Sequence, residues 1–245
     1  MPRRRHLASV LGALVIVAAC APAPTPSVTP GTTRLPSATP SATASAGLAA
    51  PTELTVGAGP LPAGRYKRSS FRPPIVFAIE DGWAAGNVVN GFFDVQQQIG
   101  TPDVIAVQFA DVDGVGGRGG SMVPAATAEA AVAAIRDNGT LVVVDESASR
   151  MSGQDGLNVI VENRGTAPAV VMRVPTGALS IDPGRKLWIS LFDTKDGLLA
   201  VMVGGSIAQW ERTLGIAEPV LESVVIGGPE GASPAAADPN RIARR

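Results

Sequence analysis

The chain reads as an α+β domain built on a largely antiparallel sheet with two flanking helices. Three features carry that reading. Asx-Gly pairs recur at Asp81-Gly82, Asn90-Gly91, Asp113-Gly114, Asn138-Gly139, Asp155-Gly156 and Asp196-Gly197. Such pairs are strong turn signals because both residues tolerate positive φ. Short β-rich runs lie between them, and only two stretches show helical spacing.

The amino terminus comes first in order. Arg3-Arg4-Arg5 precede an apolar run, Leu7 to Ala19, that ends in Val17-Ala18-Ala19-Cys20. A basic start, a short apolar segment and small residues before a cut make a secretory signal. The run is too short for a spanning helix, which needs about 20 apolar residues. Cys20 is the only cysteine of the chain. Val17-Ala18-Ala19-Cys20 resembles the lipobox of a bacterial lipoprotein signal peptide. That resemblance implies a leader over 1–19 and lipidation (diacylglyceryl, with palmitate-like acyl chains) at Cys20. Two acyl chains anchor a protein stably where one does not. The expected location is therefore the extracytoplasmic face of the cell membrane, with the membrane as a partner through Cys20. The alternative is an ordinary secretory signal followed by a chance cysteine. Arg4-Arg5 fit a twin-arginine signal poorly.

Residues 20–50 read as a disordered tether. Prolines, serines, threonines and alanines fill 24 of positions 21–50, and Arg34 is the only charge there. Such a segment buries too little apolar surface to offset its ordering entropy. The folded domain is expected over 51–227, with a tail lacking periodicity over 228–245.

Within that domain the expected strands are Ile75 to Ile79, Gly91 to Gln97, Val104 to Phe109, Leu141 to Val144, Leu157 to Glu162, Val170 to Val174, Leu187 to Phe192 and Leu198 to Val203. The last two form the clearest hairpin, turning through Asp196-Gly197. Both arms are nearly continuously apolar, which predicts a central pair covered on both faces. One helix is expected over Thr127 to Asp137, with a Thr cap and an Asn138-Gly139 stop. A second starts at Ser206, where Ser206 and Gln209 suggest a capping box. Its apolar stripe is Ile207, Trp210, Leu214, Ala217 and Leu221, and Pro219 should kink or restart it. A short strand, Ser223 to Ile226, follows.

Composition narrows the function. Without residues 1–19, which hold three arginines and no acid, 17 basic side chains face 21 acidic ones, a net charge of −4. This disfavours a nucleic-acid partner, which a basic patch would announce. The sole histidine, His6, lies in the expected leader. Catalysis by Ser-His-Asp or Cys-His is thereby unavailable to the mature chain, as are His-bearing zinc sites. None of Lys67, Lys186 and Lys195 lies three residues after a serine, which disfavours a Ser-x-x-Lys nucleophile. No cofactor or metal is predicted.

The remaining motifs have modest readings. Gly114-Val115-Gly116-Gly117-Arg118-Gly119 matches Gly-x-Gly-x-x-Gly. A dinucleotide site needs those glycines to open a helix directly, and here the helix begins only near Thr127. The stretch reads instead as a flexible loop, a candidate lip over a groove. Asp111-Val112-Asp113-Gly114 resembles the start of a calcium loop but lacks the third ligand and the bidentate Glu. Glu80-Asp81, Asp111 with Asp113, and Asp145-Glu146 supply the only acid/base material for a hydrolase. Such an enzyme needs two carboxyls facing across a cleft. Trp83, Trp188 and Trp210 are candidates for a groove floor but fit a core better. Asn138-Gly139-Thr140 matches a glycosylation sequon.

Pro74-Ile75-Val76-Phe77-Ala78-Ile79 leading into Asp81-Gly82-Trp83, the Asp-Gly hairpin before Leu198, and the late helix ending Pro219-Val220-Leu221-Glu222-Ser223-Val224 together resemble a PsbP-like domain. That family comprises α/β sandwiches of extrinsic photosystem proteins and exported lipoproteins. The resemblance implies a binding or assembly module without catalysis, and no family residue carries over as a site. The expectation is thus a lipid-anchored binding or scaffold protein of the bacterial cell envelope, its ligand an unknown protein or small molecule. The alternative is a small carboxylate-dependent hydrolase.

Overall fold

The computed structural model describes residues 50–55 and 59–227. The expected leader, Cys20, the tether up to residue 49 and the tail over 228–245 lie outside the described residues. No helix among the described residues is long and apolar enough to cross a membrane.

Among the described residues nine strands precede the first α-helix: β1 (Thr52–Glu53), β2 (Gly59–Pro60), β3 (Gly64–Arg68), β4 (Ile75–Ile79), β5 (Ala84–Val89), β6 (Phe92–Gln97), β7 (Ile105–Val112), β8 (Gly114–Gly116) and β9 (Met122–Val123). Then come α1 (Ala128–Arg136), β10 (Val142–Met151), β11 (Gln154–Glu162), β12 (Ala169–Val174), β13 (Gly177–Ile181), β14 (Arg185–Thr194), β15 (Gly197–Ser206), α2 (Trp210–Glu222) and β16 (Val225–Ile226).

The fold is α+β and dominated by sheet. Eight strands form one antiparallel sheet in the order β10-β11-β14-β15-β7-β6-β5-β2. Alternation along its strands sends side chains into two separate cores. Trp188 and Phe192 of β14, Leu199, Val201 and Val203 of β15, and Val107 and Phe109 of β7 enter the first core. Leu187, Ile189 and Leu191, with Leu198, Ala200 and Met202, enter the second. The first is closed by α2 and a small sheet, β1-β3-β4-β16. There Phe77, Phe93 and Phe109 stack with centroids 4.5–5.8 Å apart. The second is closed by α1 and another small sheet, β13-β12-β8-β9. Sheets therefore share with the helices the covering of both faces, a role the sequence reading gave to helices alone.

The predicted hairpin is the centre of this arrangement. β14 and β15 pair from Arg185↔Ser206 to Thr194↔Gly197, turning through Lys195-Asp196. Their middles are buried on both faces, as continuous apolar runs require.

Two expected turns fall elsewhere. Asp155-Gly156 lies inside β11, where Gly156 pairs with Ser149. A Cβ at Gly156 would run into the Leu191 carbonyl and the Phe192 ring. The glycine is there for close approach, and the turn is Ser152-Gly153, at φ 52° and 79°. Asp113-Gly114 carries the chain from the large sheet to β8 without a reversal, its Asp113 N–H donating to the Arg173 carbonyl at 2.9 Å.

The first helix is capped as predicted. Thr127 Oγ1 accepts from the Ala130 N–H at 3.2 Å, and Asp193 Oδ1 of β14 accepts from Ala128 N–H at 2.8 Å. For the second, the Ser206–Gln209 capping box does not form. Ser206 is still in the ladder opposite Arg185, a 3₁₀ turn occupies Ile207–Gln209, and the Ser206 side chain makes no cap bond. The helix then runs through Pro219 to Glu222 without restarting. The residue whose carbonyl a proline ring crowds, four back, is Gly215, which adds no side chain to the clash.

Candidate functional site

The structure disperses the paired acids, the only acid/base material the sequence offers. Asp145 and Glu146 point to opposite faces of β10. Glu146 is held by Arg136 of α1, whose Nε donates to Oε1 at 3.0 Å and whose Nη2 donates to Oε2. Those bonds keep the Glu146 carboxyl below its ordinary range. Asp81 Oδ1 accepts from the Ala63 N–H at 3.2 Å and so fixes a turn. Asp111 differs. Burial, together with the neighbouring charges of Asp113 and Asp196, pushes its carboxyl up to about 6, against the pull of Arg72. Among the described residues no group of three or more His, Cys, Asp or Glu side chains is placed to hold a metal ion.

Two surface concavities are described. One, of about 540 Å³, is lined by Thr52, Glu53, Leu54, Leu61, Arg65 and Tyr66 among others. The other, of about 400 Å³, lies between α2 and the β4–β5 turn and includes Glu80, Trp83, Gln97, Ile216 and Pro219. Each has a single carboxylate among its described lining residues. Glu53 is committed to Ser69, whose N–H and hydroxyl donate at 2.9 and 2.7 Å. Asp111 borders neither. The two facing carboxyls that a glycosidase-type site needs are not brought together at either place.

The first half of the glycine stretch is strand rather than loop, and Arg118–Gly120 after it is an exposed 3₁₀ turn. Gly114–Gly116 is strand β8, buried along its length, and borders neither concavity. A Cβ at Gly116 would meet the Val170 carbonyl and Asn138 Nδ2. Asn138 itself is 1 % exposed, and its Nδ2 donates to the Gly116 and Val170 carbonyls at 2.9 and 3.2 Å. The sequon asparagine is thus a buried clamp between α1 and the second small sheet. All three tryptophans are core residues, at 3–7 % exposure, and Trp83 also contributes to the lining of the second concavity.

Two buried acids escaped the sequence reading. Asp94 sits against the β5 bulge, accepting from the Asn87 N–H at 2.6 Å and from Gln96 Nε2. Burial raises its carboxyl despite those bonds. Glu162 lies between Arg164 Nε at 2.7 Å and Lys186 Nζ at 3.3 Å. Burial works to raise it, but the bonds from Arg164 and Lys186 outweigh that and hold it below its ordinary range. Lys186 also lies 5.1 Å from the centroid of Trp210. The signal in sequence would have been Glu162 and Lys186 at matched positions of two apolar strands, which only the register discloses.

What the described surface does offer is an edge. β10 ends the large sheet, and among the described residues no strand pairs with its outer side. It is ten residues long, and Val142 and Val144 at its start are 40 % and 46 % exposed. A register shift between Val143 and Asp145 precedes a regular run, Asp145 to Met151. Neither Pro nor Lys interrupts that run, although these are common devices that blunt an edge. The opposite edge, β2, is only two residues long.

No protein-family model matches the sequence, and no curated protein is significantly similar to it. Among solved structures the chain is similar to the cyanobacterial PsbP (CyanoP) of Synechocystis sp. PCC 6803, with a TM-score of 0.41 and 13 % identity over 70 % of this chain and 97 % of that one. It is also similar to the Ran-binding protein Mog1p of Saccharomyces cerevisiae, at 0.36 and 10 % over 71 % and 97 %. A third is LpqN of Mycobacterium tuberculosis, involved in cell envelope biogenesis, at 0.35 and 9 % over 69 % and 90 %. At TM-scores this low the likeness carries no argument about what the chain does.

Proposed function

We propose that the chain is a binding or scaffold domain of the bacterial cell envelope, held at the extracytoplasmic face of the membrane by lipid on Cys20. On this reading it belongs with the PsbP-like sandwiches. The observation that supports a binding role is the open β10 edge. It presents a regular run of backbone donors and acceptors flanked by exposed valines, which is the surface that strand addition uses. The lipid anchor rests on Val17-Ala18-Ala19-Cys20 and the basic residues before it.

Two measurements test it. Mass spectrometry of the protein from the membrane fraction should find a diacylglyceryl group on an amino-terminal Cys20, and a free, unmodified terminus elsewhere ends the anchor. Cross-linking in cells, followed by isolation of the tethered protein, should capture partners that Ala148→Lys loses, since lysine on an edge opposes pairing. Capture undiminished by that substitution would rule out the edge as the binding surface. A second reading, a carboxylate hydrolase, draws on Asp111, whose carboxyl is raised beside Asp113. It requires hydrolytic turnover of an envelope glycan that Asp111→Asn abolishes.

A further inference from the structure

We infer that the occupant of the β10 edge is a second copy of this chain, paired antiparallel about a two-fold axis through Ala148. The inference rests on the reading of β10 as the interaction surface and names its partner.

The argument is one of charge and face. A two-fold normal to the sheet leaves each side chain on its own face, so opposed residues must share a face and the axis passes midway between the two copies of one residue. Within β10 the charges are segregated: Asp145 and Glu146 come early and Arg150 late. With the axis at Ala148, Glu146 of each copy faces Arg150 of the other, on the face that carries α1. Ser147 then faces Ser149, Asp145 faces Met151, and the centre is alanine on alanine. Moving the axis to Glu146 sets two glutamates against each other. Axes at Ser147 or Ser149 oppose no acid with a base. Opposite charges directly across strands stabilise a pair and like charges destabilise it.

The run has room for such a neighbour. Ala148, Glu146 and Arg150 are exposed, and among the described residues Arg150 pairs with Asp155, itself on the surface, at 3.7 Å. Arg136 already fixes the Glu146 side chain, so one member of each intermolecular pair is oriented in advance. The bulge at Val143–Asp145 lies outside the paired run.

The test uses the full chain with Cys20→Ser, so that an introduced cysteine is the sole thiol. Directly opposed residues of antiparallel strands have Cα atoms about 4.5–5.5 Å apart, within disulfide range. Ala148→Cys should therefore give a covalent dimer on mild oxidation. Val144→Cys should not, because the register separates the two copies of that residue by about 27 Å, eight residues at ~3.4 Å each. Sedimentation equilibrium should show self-association of the Cys20→Ser chain weakened about tenfold by Glu146→Arg, and restored when Arg150→Glu is added together with Arg136→Glu, which keeps the pair inside each copy, as expected for two reciprocal pairs. Equal cross-linking at 144 and 148, no covalent dimer at 148, or a charge swap that fails to restore association would each overturn the inference. If partner capture in cells still falls with Ala148→Lys while no dimer forms, self-pairing alone is wrong. If capture is also unaffected, the reading of the edge falls with it.

Discussion

Asp111 offers the sharpest quantitative test of how the fold treats its acids. Its carboxyl is raised from an ordinary 3.8 to about 6 by burial and by the charges of Asp113 and Asp196. The fold therefore prefers the neutral acid. As pH falls, the folded chain takes up this proton before the unfolded one does, so the stability difference is largest below the unfolded value. It is lost as pH rises through about 4 to 6. A shift of about two units corresponds to ~3 kcal/mol at 1.36 kcal/mol per unit. Water screens a half-buried carboxylate, which reduces the expected penalty above pH 6 to about 1 kcal/mol. Asp111→Asn removes the charge at nearly constant volume. It should stabilise the protein by about 1 kcal/mol at pH 7.5, equivalent to roughly 2–4 °C in Tm for a domain of this size, and change little at pH 4. Urea unfolding of both proteins at the two pH values measures the difference, and Asp94, common to both, cancels. An equal effect at both pH values, or destabilisation at pH 7.5, would refute the reasoning.

The other expectations concern packing and caps. Gly116→Ala forces a Cβ onto the Val170 carbonyl and the Asn138 clamp, and should cost about 1–3 kcal/mol in urea unfolding, as overpacking does. A glycine serving as a mobile lip would tolerate the change. Glu162→Ala strips its partner from Lys186, whose side chain is 13 % exposed, and should cost about 3 kcal/mol, while Arg164→Ala, at an exposed partner, costs under 1. Thermal unfolding of the two variants tests that ordering. Thr127→Ala deletes the α1 cap and should cost about 1 kcal/mol, read by the same assay.

Legibility followed apolar content. The β14–β15 hairpin and α1 were plain in sequence because both bury runs whose periodicity has one interpretation. β4 was plain for the same reason, its bounds Ile75–Ile79 coinciding with the expected ones. β3 and β13 were missed. Gly-Arg-Tyr-Lys-Arg and Gly-Ala-Leu-Ser-Ile each place one residue in a core and leave the rest half-exposed or exposed. Ser206 was misread because a cap signature and a strand end use the same hydroxyl residue. Only the pairing with Arg185 distinguishes them.

The β10 edge was hidden by the property that makes it interesting. Its sequence after Val144 is Asp-Glu-Ser-Ala-Ser-Arg, which shows no alternation because one face is largely solvated and no described strand lies against the outer side. An interior strand of this composition would leave buried charges without partners. At an edge, the same residues stay solvated and leave the backbone available. The ten-residue edge contrasts with β2 at the far end, which is two residues long. The segregation of acid and base along β10 has a direct consequence, a roughly tenfold effect on association rather than its loss. Reversing Glu146 alone should weaken pairing about tenfold, while reversing Arg136, Glu146 and Arg150 together should restore it, and a strand kept only to finish the sheet would leave association unchanged by both.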